Sequence, residues 1–215
     1  MAEVLGLGLS HYPPLSGTDA DMAGVLKWAL DDPSIPPSEL DVANWPDAMR
    51  AEWGTDEGVS AAAEHRAALI AGFEATRAAL DRFQPDAVVV WGDDQYENFH
   101  EDVIPPYAVL AYADQELRPW GQAAASSHMV GRRNVWDEPA DYVRTVRGRP
   151  DIAKHLVSEL LARHVDVSYA YKSLHHAGLP HAFLNAVLYL DYHRTGFPYP
   201  VIPFPINCYG RRVIS

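Results

Sequence analysis

The sequence has very little cysteine and few positive charges. Its single cysteine, Cys208, excludes an internal disulfide framework and a zinc site made of cysteine alone, and it is typical of a reducing compartment. Lysine and arginine total 17 against 29 aspartate and glutamate residues, so the formal net charge is −12. A phosphate backbone is therefore a poor partner, and we expect no nucleic-acid binding.

Long apolar runs are also missing. Uninterrupted apolar stretches such as residues 87–91 are far short of the roughly 20 residues that a membrane-spanning helix needs. The first residues have neither the basic region nor the apolar run of a secretory signal. We therefore expect a cytoplasmic protein without a membrane partner.

The chain lacks the local motifs of several large enzyme classes. It has no GxGxxG, no P-loop, no HExxH and no GxSxG, which are typical of dinucleotide binding, nucleotide hydrolysis, zinc proteolysis and lipase-type acyl transfer. The ten histidines are then the main candidates for catalytic or metal-binding residues.

Composition and periodicity predict the fold class. With 215 residues, 48% of them hydrophobic and 21% charged, the chain suits one globular domain, residues 1–215. We predict strands over residues 3–10, 87–91, 107–112, 165–171 and 200–206, and helices over 22–30, 61–83, 150–161 and 181–190. This alternation indicates a single α/β domain with a mostly parallel or mixed central sheet, flanking helices and long active-site loops at 31–59 and 113–149.

Histidines and carboxylates follow the predicted strands. His11 comes after the first strand, which we expect to be buried, and the polar loop 92–100 comes after residues 87–91, a strand expected to be buried on both faces. Ligands in open α/β sheets bind at the carboxyl ends of strands, so we expect His11 and this loop to form one site. His175 and His176 lie in a loop before the last helix, and His181 either begins that helix or packs in the core.

Imidazole and carboxylate side chains suit Fe(II), Zn(II) or Mn(II), and two histidines with one carboxylate leave positions open for substrate and oxygen. From the residues alone, such a set can be made from His11, one of Asp93 and Asp94, and one of His100 and His176. No spacing rule in the sequence selects among these combinations.

Five short motifs follow one another along the chain: Ser10–Pro13, Gly92–Gln95, Ile104–Pro106, Val146–His155 and Val201–Asn207. In this order they resemble the class III extradiol ring-cleavage dioxygenases, the family that includes the β subunit of protocatechuate 4,5-dioxygenase. The resemblance extends from residue 3 to about residue 210. It implies an α/β fold that holds one non-haem Fe(II) through two histidines and a glutamate, and an activity that opens a catechol ring next to the diol with O2.

The resemblance also implies roles for individual residues. His11 corresponds to the first iron ligand, and Gln95 occupies the position where the family has a second histidine ligand. His176, or His175 if a gap is shifted by one residue, corresponds to a histidine that transfers protons beside the substrate. Zinc is the alternative metal.

Several residues are candidates for substrate binding. We assign Tyr12 and Tyr96 to an aromatic substrate, and Arg132 and Arg133 to a substrate carboxylate, because guanidinium matches that group as a fork. The alternative, which the acidic composition favours, is that the two arginines balance a strongly acidic surface. Tyr96, Trp120 and Trp136 can line a pocket for a ring or anchor the long loops to the core.

Members of the family continue beyond the Pro-Phe-Pro strand, and that further part carries the carboxylate ligand. We therefore expect residues 1–215 to be the N-terminal portion of a longer domain, or the site to be completed in an oligomer or with a partner subunit. The alternatives are a non-catalytic homologue that binds an aromatic ligand and a zinc-dependent hydrolase.

Overall fold

The computed structural model describes residues 3–121, 133–174 and 178–208. The helices are α1 (Asp19–Leu30), α2 (Pro37–Leu40), α3 (Asp47–Trp53), α4 (Val59–Phe83), α5 (Pro150–Ala162) and α6 (His181–Leu190). The strands are β1 (Val88–Asp94), β2 (Ala108–Leu110), β3 (Gln115–Leu117), β4 (Arg144–Val146), β5 (Ser168–Ala170) and β6 (Val201–Asn207). Short 3-10 turns cover Pro13–Ser16 and Val42–Asn44.

The long helices lie where the sequence predicts them. A capping box begins α1, in which the Thr18 side chain accepts from the Asp21 amide and the Asp21 carboxylate accepts from the Thr18 amide. Helix α4 is rich in alanine, which has the highest helix propensity, and it ends at Phe83 before Gln84 turns left-handed. These elements are therefore specified by local sequence.

Parallel pairing dominates among the strands that the structure describes. β1 pairs with β6 in parallel from Val88 opposite Val201 to Asp94 opposite Asn207. β2 and β5 are also parallel, whereas β3 and β4 are antiparallel. Single bridges connect β6 to the neighbouring segments, through Tyr107 with Ile206 and Gly148 with Val201. The α/β class is confirmed, but these strands form three linked pairs in place of one continuous central sheet.

Helix α6 is the centre of the core. All ten of its residues are buried, and most of them are apolar, as expected of a helix at the centre of a core. It packs against β1 and α4. The start of this helix consequently lies deep in the molecule, beside the end of β1. No helix among the described residues has the length and apolar character to cross a membrane.

The predicted first strand is wrong. Residues 3–10 form no strand, and Val4, Leu5, Leu7 and Leu9 are 40 to 90% exposed. A strand is stabilised by hydrogen bonds to a neighbouring edge, and this segment pairs with none of the described strands. His11 therefore lies in the irregular segment just before Pro13–Ser16 and not at the end of a strand.

The prediction that β1 is buried on both faces is also wrong. Val90 packs against the core cluster that contains the α6 side chains. Val89 and Trp91 point the other way and are 39% and 67% exposed. The described helices thus cover one face of this strand well and the other only in part. Apolar composition alone cannot distinguish such a strand from one that is buried on both faces.

The two long loops contain structure that the sequence analysis did not predict. α2 and α3 lie within residues 31–59, where the Trp45 indole donates to the Glu39 carbonyl at 2.6 Å and its ring meets Trp53 edge-on. β3 and β4 lie within residues 113–149 and pair across that stretch. Such short elements show no periodicity, because contacts distant in sequence stabilise them.

Candidate metal centre

Three side chains from distant parts of the chain meet at the carboxyl end of β1. His11, Asp93 and His181 each offer one ligand atom, and these atoms all lie within 4.8 Å of one another. Nε2 of His11 is 3.3 Å from Oδ1 of Asp93, and the two imidazole centroids are 5.0 Å apart. The cluster therefore combines two imidazoles with one carboxylate.

Asp93 presents one oxygen to this cluster. Its Oδ1 atom is buried and accepts no hydrogen bond from any described residue. Its Oδ2 atom accepts a hydrogen bond from the Gln95 side-chain amide. Burial alone would raise the pKa of Asp93, but the bond from Gln95 and the nearby charge of His11 lower the pKa below its ordinary value. Asp93 is thus an ionised oxygen donor.

The adjacent carboxylate, Asp94, has a different role. It is fully buried, and it accepts the backbone amides of Glu97 and Asn98 at 3.1 Å and of Phe99 at 3.4 Å. Burial raises the pKa of Asp94 despite these bonds. Because its oxygens are engaged with the backbone, Asp94 shapes the loop that follows β1 and, unlike Asp93, is not part of the candidate metal cluster.

That loop turns sharply at Tyr96, whose φ of 68° is left-handed. This conformation is uncommon for a residue other than glycine. It lets the residues on both sides of Tyr96 reach the cluster: Gln95 contacts Asp93, and Glu97 contacts His181.

His181 is the first residue of α6, and it is 5% exposed. Its Nδ1 atom lies 3.0 Å from Oε2 of Glu97, and its backbone amide donates to Oε1 of the same carboxylate at 2.8 Å. Burial alone would lower the pKa of His181, but the hydrogen bond and charge of Glu97, with Asp93 and Asp94, raise it above its ordinary value.

Helix α6 also holds His11 in place. His181, Asn185 and Tyr189 recur at intervals of four and therefore share one face of the helix. The Asn185 side chain donates to the His11 carbonyl at 3.0 Å, and the Tyr189 hydroxyl donates to the Tyr12 carbonyl at 2.9 Å. This face provides one candidate ligand, His181, and fixes the backbone of another, so His11 reaches the cluster without a strand before it.

Gly92 allows α6 to approach β1 closely. A Cβ atom at this position would lie 3.1 Å from Phe183 Cζ and 3.2 Å from Ala182 Cβ. Both neighbours directly follow His181 in α6. A side chain at residue 92 would therefore separate the helix start from the strand that carries Asp93.

The residues present fit a transition-metal ion. Two imidazole nitrogens and one carboxylate oxygen are the donor set of the two-histidine, one-carboxylate iron sites, and they also suit zinc. A buried carboxylate oxygen without a hydrogen-bond partner is costly unless a cation or a donor meets it. Oδ1 of Asp93 is such an atom, and it faces His11.

The structure brings together only part of the predicted site. His11 is in the cluster, and Gln95 contacts it through Asp93. His175, His176 and Arg132 lie outside the described residues. Among the described residues, the cluster contains Asp93 and not Asp94, and it contains His181 and not His100. The His-x3-Asn-x3-Tyr spacing in α6 is the sequence pattern that could have identified His181.

The other candidates lie around this centre or on the surface. Tyr12 is partly buried and lines a cavity of about 260 Å³ with side chains of α1, α3 and α4. The Tyr96 ring contacts the exposed His100 edge-on at 4.9 Å. Arg133 is 77% exposed and forms a bidentate ion pair with Asp137.

Trp120 and Trp136 anchor the long loop to the core. The Trp120 indole donates to Glu138 at 3.0 Å, and the Trp136 indole donates to the Tyr192 carbonyl at 2.7 Å. The guanidinium of Arg194 stacks 3.7 Å above the Trp136 ring. Of the two roles considered for this pair of tryptophans, these contacts correspond to anchoring.

Comparison with known proteins finds two dioxygenases. The chain is 26% identical over 156 residues to 2,3-dihydroxyphenylpropionate/2,3-dihydroxicinnamic acid 1,2-dioxygenase of Comamonas testosteroni, covering 72% of this chain and 40% of that protein. It is 25% identical over 135 residues to 2,3-dihydroxyphenylpropionate/2,3-dihydroxicinnamic acid 1,2-dioxygenase 2 of Pseudomonas putida, covering 62% and 34% respectively. No family model matches the chain. The chain is thus distantly similar to two dioxygenases, and the matches span 40% or less of those proteins' length.

Proposed function

We propose that this chain carries the metal centre of a non-haem Fe(II)-dependent extradiol dioxygenase of the class III type, which cleaves a catechol or a related hydroxylated aromatic with O2. The observation that carries the proposal is the convergence of His11, Asp93 and His181. The distant similarity to two dioxygenases supports the same class of reaction.

Each residue of the cluster has a defined part in this proposal. His11 and His181 provide neutral imidazole nitrogens, and Asp93 provides the buried oxygen Oδ1. Three protein ligands leave further positions for the substrate. Bound ferrous iron supplies the electron transfer between an aromatic diol and O2 that organic side chains cannot provide.

Gln95 is proposed to orient Asp93. In the class III enzymes its position belongs to a histidine ligand, whereas its amide here donates to Oδ2 of Asp93. We propose that His181 supplies the second imidazole and that Gln95 orients Asp93, although its carbonyl oxygen also remains a candidate ligand. A carboxylate held at one oxygen presents the other in a defined direction.

Proton transfer and substrate binding are assigned to residues other than these three ligands. We propose that His176, or its neighbour His175, takes a phenolic proton from the substrate and returns it later, since histidine titrates near neutral pH. Tyr12 and Tyr96 are proposed to contact the aromatic ring, and Arg132 and Arg133 a carboxylate on the substrate. Completion of the site in an oligomer or with a partner subunit remains a prediction.

The first test is an anaerobic titration with Fe(II). We expect the unmodified chain to bind one equivalent, and His11→Ala and Asp93→Ala to weaken binding by about 100-fold or more, because each removes one of three ligands. The matched control is His193→Ala, which removes an exposed histidine paired with Glu74 outside the cluster. Equal binding by the unmodified chain and the His11→Ala variant would overturn the assignment.

The second test measures O2 consumption by the iron-loaded chain with catechol and with 2,3-dihydroxyphenylpropionate. We expect uptake that requires both the iron and the aromatic diol. Iron binding without any O2 uptake would contradict the activity and favour a non-catalytic homologue. A strong preference for zinc with hydrolysis of test esters would favour the hydrolase alternative.

A further inference from the structure

Glu97 makes an unusual pair of contacts with His181. One of its oxygens accepts the His181 backbone amide at 2.8 Å, and the other lies 3.0 Å from the ring atom Nδ1. The His181 side chain is 7% exposed and that of Glu97 28%. The carboxylate thus holds both the start of α6 and the ring of its first residue.

These contacts determine which ring nitrogen carries the proton. A neutral imidazole has one N–H donor and one acceptor nitrogen, and an ionised carboxylate can only accept. Because Nδ1 faces the carboxylate, Nδ1 must be the donor. The lone pair that can bind a metal ion is then on Nε2.

We propose that Glu97 is a positioning residue that holds His181 as the Nδ1–H tautomer and orients its ring, so that Nε2 is the atom presented to His11 and Asp93. This inference rests on the metal centre in the proposed function. Carboxylates that accept a hydrogen bond from a ligand histidine fix its orientation and increase its basicity, and their loss costs about 10- to 100-fold in metal affinity.

The backbone places Glu97 for this role. The fully buried carboxylate of Asp94 accepts the Glu97 amide at 3.1 Å. The left-handed Tyr96 turns the chain immediately before Glu97. The side chain therefore reaches His181 from a fixed part of the loop, and ordering it at the site costs less conformational entropy than ordering a mobile carboxylate.

The test is Glu97→Gln. A glutamine can still accept the His181 backbone amide through its oxygen, so α6 keeps that hydrogen bond. Its NH2 group can only donate to Nδ1, which forces the ring proton onto Nε2 and blocks coordination there. The substitution thus preserves shape and removes the feature that the proposal needs.

Two measurements read out the effect. The first is the tautomer of His181 in the metal-free protein, from imidazole ¹⁵N chemical shifts at a pH where the ring is neutral. We expect Nδ1–H in the unmodified chain and Nε2–H in Glu97→Gln. The second is affinity for Co(II) as the probe metal, by competition with a chelator, where we expect a loss of about 10- to 100-fold in the variant.

The matched control is Glu74→Gln, because Glu74 forms a comparable pair with His193, at 2.7 Å, outside the cluster. We expect its Co(II) affinity to equal that of the unmodified chain. An Nε2–H tautomer in the unmodified chain, or unchanged Co(II) affinity in Glu97→Gln, would overturn the role of Glu97. The tautomer of the unmodified chain needs neither a variant nor iron. If the tautomer and the Co(II) affinities are as expected but the iron-loaded chain takes up no O2, only the dioxygenase activity is contradicted. The role of Glu97 then stands.

Discussion

Asp93 and Asp94 are neighbours in sequence with different surroundings. Asp93 faces two imidazoles and has one buried oxygen without a hydrogen bond from the described residues. Asp94 is fully buried and accepts three backbone amides. An aspartate side chain therefore belongs to the candidate metal cluster at one position and stabilises the loop at the next.

The two substitutions to alanine should separate these roles. Asp94→Ala leaves buried amides without an acceptor, so we expect the free energy of unfolding to fall by about 1–3 kcal/mol. Asp93→Ala removes the oxygen Oδ1, which lacks a hydrogen-bond donor, and the oxygen Oδ2, which accepts only from the exposed Gln95 side chain. We therefore expect the metal-free protein to keep its stability to within about 1 kcal/mol. Urea denaturation of the metal-free proteins measures both. A larger loss in Asp93→Ala than in Asp94→Ala would contradict the assignment.

At the scale of an element, α6 organises the site. It supplies His181 directly and holds the backbone of residues 11–13 through Asn185 and Tyr189. Its start lies against Gly92 of β1, where no larger residue fits without displacement. The distance between two proposed ligands therefore depends on how closely this helix packs on this strand.

Gly92→Ala tests that dependence. The added Cβ would lie 3.1–3.2 Å from Phe183 and Ala182, so we expect a loss of about 1–3 kcal/mol in stability from overpacking. Co(II) affinity should also fall, because the start of α6 moves away from Asp93. The control is Gly24→Ala in α1, where a Cβ meets nothing within 4 Å and alanine should stabilise the helix by about 1 kcal/mol. Unchanged Co(II) affinity in Gly92→Ala would show that this contact does not set the site.

At the scale of the whole molecule, a buried ion-pair network joins the residue that follows α6 to other elements. Asp191 is 1% exposed, and its carboxylate lies 2.6 Å from Arg144 of β4 and 3.9 Å from Arg77 of α4. It also accepts the Gly196 amide at 2.7 Å. This carboxylate connects helices and strands that are far apart in sequence.

Asp191→Asn should therefore destabilise the whole domain. The variant keeps an acceptor for Gly196 but leaves Arg144 buried beside a neutral group, so we expect a loss of about 3–5 kcal/mol. The control is Glu159→Gln, which breaks the exposed pair with Arg163 and should cost less than about 1 kcal/mol. Thermal and urea unfolding of both variants measure the difference. A loss in Asp191→Asn as small as that of the control would show that the network contributes little.

The sequence by itself determined the four longest helices. Helix α6 extends over His181–Leu190, as its apolar run and preceding proline predict, and α1, α4 and α5 lie within one to three residues of their predicted bounds. Periodicity, caps and prolines act within a few residues, so they can be identified without knowing the fold. The α/β class follows from the same local patterns.

Only the tertiary structure decided which strands pair and which side chains form the cluster. The segment 3–10 has the composition of a buried strand but no described strand as a partner. From the sequence, His181 could either begin a helix or pack in the core. It became a ligand candidate because Gly92 lets α6 approach β1. Strand pairing and ligand convergence depend on contacts between residues far apart in sequence, and local sequence patterns do not specify those contacts.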